Sequence, residues 1–408
     1  MSFSKDSTWI CQFPISLAIE GEACYDRIAE AGAGRLLFCS VIYSPYRLLL
    51  PRYPEKGIYS MEEGTYHYVP ERDRYRHLPV SPTPSSDWGS RDMLAEAVRG
   101  ARKAGVSPGV WVSIFANGQI AKTHPAWAVK NLYGSTDRLF LCFNNAEVRE
   151  YSYLVCSEIA ERYEVSEIML DKIPQLCIEV DAFGGTRIDP VLRTLASFCF
   201  CSECAVAAKQ YGIDLEACRR KALTLAERCL AIPPHVACSQ RDDLKGDAEI
   251  PLLLLDEPWI GDLLRFRIES TRLFIEEASK RIDAKRKGTL MSVAFVPPAK
   301  SGHDSSQPRP WLAAQSYAAY KNVVDVIHSV IHWNADVVEY DTHRAVDAVR
   351  GGISKIATHI RCYGETRPEE IAGLLQAAKR GGASGVGYFC YDLMSPDLLR
   401  ATQQARLN

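Results

Sequence analysis

The chain has 408 residues, a formal net charge of −2 and 47% hydrophobic residues, the composition of an ordinary globular protein long enough to bury a large core. A near-neutral balance leaves no electrostatic footprint for nucleic acid, so a DNA- or RNA-binding role is not expected. The first residues, MSFSKDSTWICQFP, lack the basic, apolar and small-residue succession of a secretory signal, and apolar runs such as Ile250–Leu255 are too short to span a bilayer. A cytoplasmic protein with no membrane partner is expected. The 14 cysteines are therefore read as thiols rather than disulfides. Cys39, Cys156 and Cys390 stand alone in apolar stretches and read as small buried hydrophobes.

Short β-rich apolar runs alternate with amphipathic helical stretches along the chain. The runs are Ile10–Leu17, Arg35–Tyr43, Gly109–Phe115, Glu167–Asp171, Leu290–Val296, Val326–Trp333, Ile353–Ile360 and Gly385–Tyr391. Helices are expected at Cys24–Ala31, Arg91–Gly105, Glu147–Tyr163, Asp262–Asp283, Ala314–Val324, near Val346–Arg350 and at Pro368–Arg380, with a fraying helix end at the C-terminus. A loop rich in Tyr and Pro follows the second run, and a polar loop follows the fifth. The strand rhythm lapses between about residues 173 and 260. Eight runs alternating with helices predict a single-domain (β/α)8 TIM barrel over residues 1–408, with a helical insertion at 173–260 after the fourth strand. A doubly wound sheet needs fewer units, and no Gly-rich phosphate loop follows the first strand.

Within the insertion, SFCFCSEC places Cys199, Cys201 and Cys204 in six residues. Thiolates are soft ligands that suit zinc, and a structural zinc site takes four. Cys142, before the helix that leads into the fourth strand, is the best-placed fourth ligand. Cys177 comes next, and His235 and Cys238 are weaker choices. The competing reading is three buried thiols on an apolar helix start.

The stretches LCFNNAEVREY, EIAERYEVSEIMLD and CFCSECAVAAKQYGID stand in an order that resembles glycoside hydrolase family 42, the β-galactosidases. The resemblance covers roughly Cys142–Asp214. It implies a structural Zn2+ on Cys142, Cys199, Cys201 and Cys204 that pins the insertion, and it leans toward a homo-oligomer. In that family the strand before the cluster ends in Asn-Glu, the Glu being the acid/base. This chain has Leu170-Asp171 there instead. A carboxylate at the C-terminal end of a barrel strand reads as catalytic, and a cap or a salt bridge is the plainer alternative. Glycosidases use two carboxylates, about 5–5.5 Å apart for retention and wider for inversion. The resemblance puts the partner at the end of the seventh strand, where Glu365 stands a few residues late. Asp392 after the eighth strand is as well placed, and Glu257 beside Trp259 is a third choice.

Other strand-end groups are candidates for substrate contact: Tyr43 and Arg47 after the second strand, Asn117 after the third, His332 and Trp333 closing the sixth, His359 and Arg361 on the seventh, and Glu257 with Trp259. Each has a structural alternative, as a packed ring, a cap or a clamp. His124 and Trp127 read as packing, and His303-Asp304 as solvent-facing. The expected function is a glycoside hydrolase acting on a small sugar conjugate or oligosaccharide, with no organic cofactor. A uronate lyase or isomerase on the same rim is one alternative. A carbohydrate-binding protein on a degenerate barrel is the other.

Overall fold

The computed structural model describes residues 3–41, 47–173, 190–231, 250–295, 310–332 and 334–407. In it the eight predicted runs close into one barrel of parallel strands. In chain order the elements are β1 (Thr8–Gln12), α1 (Pro14–Glu20), α2 (Ala23–Glu30), β2 (Arg35–Val41), the hairpin β3 (Arg47–Leu49) and β4 (Ile58–Ser60), α3 (Met93–Lys103), β5 (Ser107–Val112), α4 (Gly118–Thr123), the hairpin β6 (Ala128–Lys130) and β7 (Thr136–Leu141), α5 (Ala146–Tyr163) and β8 (Glu167–Leu170). The insertion contributes α6 (Pro190–Ala196), α7 (Ser202–Lys209) and α8 (Leu215–Ala231). There follow α9 (Pro258–Lys285), β9 (Leu290–Phe295), α10 (Tyr317–Tyr320), β10 (Val326–His332), α11 (Ala335–Ala348), β11 (Lys355–Arg361), α12 (Ile371–Arg380), β12 (Gly385–Phe389) and α13 (Pro396–Leu407). Around the ring the strands run β1, β12, β11, β10, β9, β8, β5 and β2. Among the described residues no helix is long and apolar enough to cross a membrane.

Several predicted boundaries move. The run Ile10–Leu17 is a strand only to Gln12; Pro14 then opens α1 at its first position, where a missing N–H costs nothing. The helix expected at Ala314–Val324 shrinks to Tyr317–Tyr320, and the one near Val346–Arg350 begins far earlier, at Ala335, behind Asn334, whose Oδ1 accepts the Asp336 N–H at 3.0 Å. The long Tyr-rich loop packs rather than opens: Tyr66, Tyr68 and Tyr75 are fully buried against Tyr151 and Tyr163 of α5. The insertion builds a second apolar core with the β6–β7 hairpin, separate from the barrel's own.

The barrel interior is polar at one level. Glu167, at the start of β8, is buried. Its Oε2 accepts the indole N–H of Trp9 on β1 at 2.8 Å, and its Oε1 accepts Ser292 Oγ of β9 at 2.6 Å. His328 of β10 lies 2.8 Å from Oε1 through Nε2, and its Nδ1 lies 2.7 Å from Nε2 of His359 on β11. His359 Nδ1 in turn faces Cys11 Sγ of β1 at 3.7 Å. Burial pushes the Glu167 carboxyl up, but the hydrogen bonds from His328, Ser292 and Trp9 outweigh it and hold the group below the usual carboxylate range. β12 makes room for this layer with two glycines. A Cβ on Gly385 would stand 2.4 Å from the Trp9 ring, and one on Gly387 would stand 2.4–2.5 Å from the His359 imidazole.

Gly387→Ala is expected to destabilise the fold by about 1–3 kcal/mol through overpacking. In a His359→Ala background the same methyl enters vacated space and costs less. Denaturant unfolding of the four proteins measures the coupling; equal costs in both backgrounds would refute the steric account.

Candidate active site

The C-terminal ends of the barrel strands form a mouth in which Asp171 is the half-buried carboxylate carried at a strand end. Its backbone N–H still follows the ladder, donating to Val112 O at 2.9 Å. Its Oδ2 accepts two hydrogen bonds, from the Trp111 indole N–H at 3.0 Å and from Ser113 Oγ at 3.1 Å. Both donors come from β5 or the residue just past it, the next strand in the ring. Lys172 follows with φ +56°, a left-handed turn that a side-chain-bearing residue adopts at some cost, and the chain leaves the strand there. Oδ1 of Asp171 takes no hydrogen bond from the described residues.

Aromatic rings floor the mouth. Phe13 lies 5.2 Å from Trp111, Trp111 lies 5.5 Å from Phe389, and Tyr363 lies 6.2 Å from Phe389, centroid to centroid. Arg361, closing β11, sits over the Tyr363 ring at 4.7 Å. The sequence reading singled out neither Trp111 nor Ser113, Phe13, Phe389 and Tyr363. Period-two alternation past the third strand could have found Ser113, since it shares a face with Trp111.

The other candidates are placed as follows. Glu365 is exposed on the turn after β11. Asn117 is buried and caps α4: its Oδ1 accepts the Ile120 N–H at 3.0 Å and its Nδ2 donates to Gly64 O at 3.2 Å. Glu257 accepts the Trp259 indole N–H at 2.6 Å at the head of α9, and Trp259 packs into the insertion's core. Arg47 is exposed on β3. His359 belongs to the interior layer below the mouth. The backbone of His332 ends β10; its side chain lies outside the described residues, as do Tyr43, Trp333, Cys177, His235, Cys238, His303 and Asp304. Trp127 is buried, its indole N–H bonded to Glu147.

Four cysteines meet where the β6–β7 hairpin touches the insertion. Cys142 Sγ lies 3.4 Å from Cys201, 3.5 Å from Cys204 and 3.9 Å from Cys199, and all four sulfurs lie within 4.8 Å of one another. Tetrahedral Zn–S bonds of about 2.3 Å put sulfurs about 3.8 Å apart, so the donor set and its spacing fit such an ion. Outer partners hold the set: Asn144 Nδ2 donates to Cys204 Sγ at 3.3 Å, and Asn144 Oδ1 accepts from Arg149 and Ser270. Backbone bonds join the same two pieces, from Phe200 N–H to Lys130 O at 2.7 Å, and Arg219 Nε donates to Leu132 O at 2.8 Å.

Asp392 is fully buried and faces α1 rather than the mouth. Its Oδ2 accepts the Phe13 N–H at 2.6 Å and its Oδ1 the Ser16 N–H at 3.0 Å, so it caps the first turn of a helix from the other end of the chain. Arg52 reinforces this corner. It donates to Tyr391 O and to Met394 O, pairs with Glu20 at 3.1 Å and lies over the Tyr391 ring at 4.1 Å. Burial pushes the Asp392 carboxyl up to about 6, against the hydrogen bonds from Ser16 and Phe13 and the charge of Arg52. An unfolded aspartate titrates near ~3.9. The folded chain therefore binds the proton more tightly, and this group makes stability rise as pH falls from about 6 toward about 4. Asp392→Asn cannot take that proton. Between pH 7 and pH 4 the stability of wild type relative to the variant should grow by up to about 3 kcal/mol, read from denaturant midpoints at each pH.

No protein-family model matches the sequence, and no curated protein matches it. Solved structures do match in fold. The PgaB (BpsB) glycoside hydrolase domain from Bordetella bronchiseptica superposes with a TM-score of 0.60 at 11% identity, covering 98% of this chain and 99% of that one. The catalytic domain of β-amylase from Paenibacillus polymyxa gives 0.58 at 10% identity, covering 99% and 98%. A GH42 β-galactosidase from G. stearothermophilus gives 0.58 at 12% identity; the match covers all of this chain but only 57% of that one. At these identities the likeness is one of fold: the chain is a (β/α)8 barrel of the kind that these glycoside hydrolases share.

Proposed function

We propose that the chain is a glycoside hydrolase-type enzyme acting on a small sugar conjugate or oligosaccharide, with Asp171 at its reaction centre. The observation that carries this reading is the strand-end carboxylate held by two donors above an aromatic floor. The Trp111 and Ser113 hydrogen bonds converge on Oδ2 and fix the carboxyl plane, which leaves Oδ1 to meet a ligand. Phe389 and Tyr363, half-buried beside the buried rings of Phe13 and Trp111, offer apolar ring surface against which a sugar ring packs. In this reading Asp171 donates a proton to the glycosidic oxygen as its bond to the anomeric carbon breaks, and water adds to that carbon, directly or after a second carboxylate has bonded to it. Glu365 is the second carboxylate of the scheme, since Asp392 is occupied as a helix cap. The glycoside hydrolases that share the barrel support the reaction class. A carbohydrate-binding role without turnover is the second reading, favoured by the exposure of Glu365 and the burial of Asp392.

The four-cysteine cluster is proposed to hold a structural Zn2+. A closed set of four sulfurs has no position for a reacting water, so its part is to fasten the insertion to the β6–β7 hairpin. Metal analysis is expected to return one zinc per chain. Removing it with a chelator, or the Cys201→Ser substitution, should open residues 190–231 to proteolysis while the barrel keeps its circular dichroism. An equal cleavage pattern with and without metal would refute the fastening role.

Asp171→Asn is expected to lower kcat on aryl glycosides by about 100-fold or more. Trp111→Phe, which removes one of two donors, should cost about 10-fold. Phenolate release measures both. Calorimetric sugar binding by wild type with no turnover of any glycoside would favour the second reading.

A further inference from the structure

The side chain of Asn144 stands between the cysteine cluster and the barrel. Its Nδ2 donates to Cys204 Sγ at 3.3 Å. Its Oδ1 accepts from Arg149 Nη2 at 3.1 Å and from the Ser270 hydroxyl. Arg149 lies near the start of α5, and Ser270 lies in α9. Arg149 also donates through Nη2 to Ser270 O at 3.2 Å and Ser270 Oγ at 3.0 Å, and through Nε to Phe143 O at 2.7 Å. A guanidinium only donates, so it must meet the oxygen end of the amide, and the NH2 end is thereby turned to the sulfur. The charge on the oxygen side polarises the amide and strengthens its N–H as a donor. Four thiolates on a divalent ion keep an excess of negative charge. These sulfurs lie buried in the insertion's apolar core, where such charge is costly unless it is hydrogen-bonded or paired. Beyond Ser270 the two helices stay joined: Tyr153 of α5 stacks on Phe274 of α9 at 4.9 Å, and Arg281 pairs with Glu150 at 2.8 Å. α5 leads into β8, and α9 leads into β9.

We infer that Asn144 is the positioning residue of the metal site: braced by Arg149 and Ser270, it aims an N–H at the Cys204 sulfur and ties a loaded cluster to the helices that enter β8 and β9. This rests on the reading of the four cysteines as a metal site, and it names what joins that site to the barrel.

The test is metal binding by the full chain, read as Zn2+ affinity in competition with a chromophoric chelator and as the thiolate-to-metal charge-transfer absorption of the Co2+ form. Asn144→Leu keeps the bulk and removes the amide. Its Zn2+ affinity should fall by about 10-fold or more, and its charge-transfer band should move to lower energy as the sulfur loses its hydrogen bond. Asn144→Asp keeps an oxygen for Arg149 but brings no N–H, and it should show the same fall and the same shift. Arg149→Met leaves the amide free to turn and should lose part of the affinity. Ser202→Ala changes an exposed side chain between Cys201 and Cys204 and should match wild type. Hydrogen exchange reads the tie: Zn2+ should slow exchange in α9 around Ser270 in wild type, and less so in Asn144→Leu. Melting curves confirm that each variant is folded; where Asn144→Leu is not, Asn144→Asp and Arg149→Met carry the test. Unchanged affinity in the Asn144 variants, a lowered affinity with an unmoved charge-transfer band, or equal slowing of α9 with and without the amide would overturn the inference. The failures are distinguishable. A wild-type chain that binds neither Zn2+ nor Co2+ removes the metal reading and this one with it. Tight binding that is indifferent to Asn144 removes this one alone.

Discussion

A carboxylate inside a barrel must find its hydrogen bonds there or give up its charge, and Glu167 finds its partners on four other strands. Trp9 reaches it from β1, Ser292 from β9, His328 from β10, and Arg35 of β2 stands 3.7 Å from Oε2. An ionised carboxylate only accepts, which sets the direction of its bond with His328. His328 donates through Nε2, its Nδ1 shares a hydrogen bond with His359 Nε2, and His359 Nδ1 faces the Cys11 thiol. Breaking one link leaves a buried charge or an orphaned ring nitrogen, a loss on the order of 3–5 kcal/mol for a buried pair. The layer therefore fixes the relative height of six of the eight strands, β1, β2, β8, β9, β10 and β11. Asp171 sits two inward positions above Glu167 on β8, so its height at the mouth is inherited from that layer.

The mouth is closed from the side by contacts between the two ends of the chain. Asp392 past β12 caps α1 past β1, and Arg52 from the long loop lies across the same corner. This keeps Phe13, whose N–H is one of the capped groups, against Trp111 and Phe389. The aromatic floor and the helix cap are thus parts of one arrangement. The carboxylate of Asp392 is thus used up in holding the Phe13 ring in place.

The eight strands were legible because buried parallel strands read as continuous apolar runs bounded by turns, and each run landed on a barrel strand. Where the reading slipped, local chemistry had outweighed periodicity. Pro14 broke the first run, and α11 begins behind Asn334, eleven residues ahead of the stretch expected near Val346–Arg350. The short hairpins β3–β4 and β6–β7 were hidden in segments without strand rhythm. Asp171 was legible as a strand-end acid, and the four cysteines as a ligand set with spacing and order to match. Glu167, His328 and the role of Asp392 were not, because their partners lie on strands far away in sequence. Asp392 and Phe13 are neighbours only because the barrel closes β12 onto β1.

The cysteine cluster has one more consequence, which concerns chain entropy. Cys142 precedes α5 and Cys199 follows α6, so the contact among their sulfurs closes a loop that contains α5, β8 and the exit from β8. Asp171 lies near the middle of that loop. Closing a segment of this length removes many conformations from the unfolded chain, and the loss grows only slowly with each added residue. The stretch between Asp171 and the cysteines can therefore lengthen or change with little thermodynamic effect, while the carboxylate stays tethered on both sides.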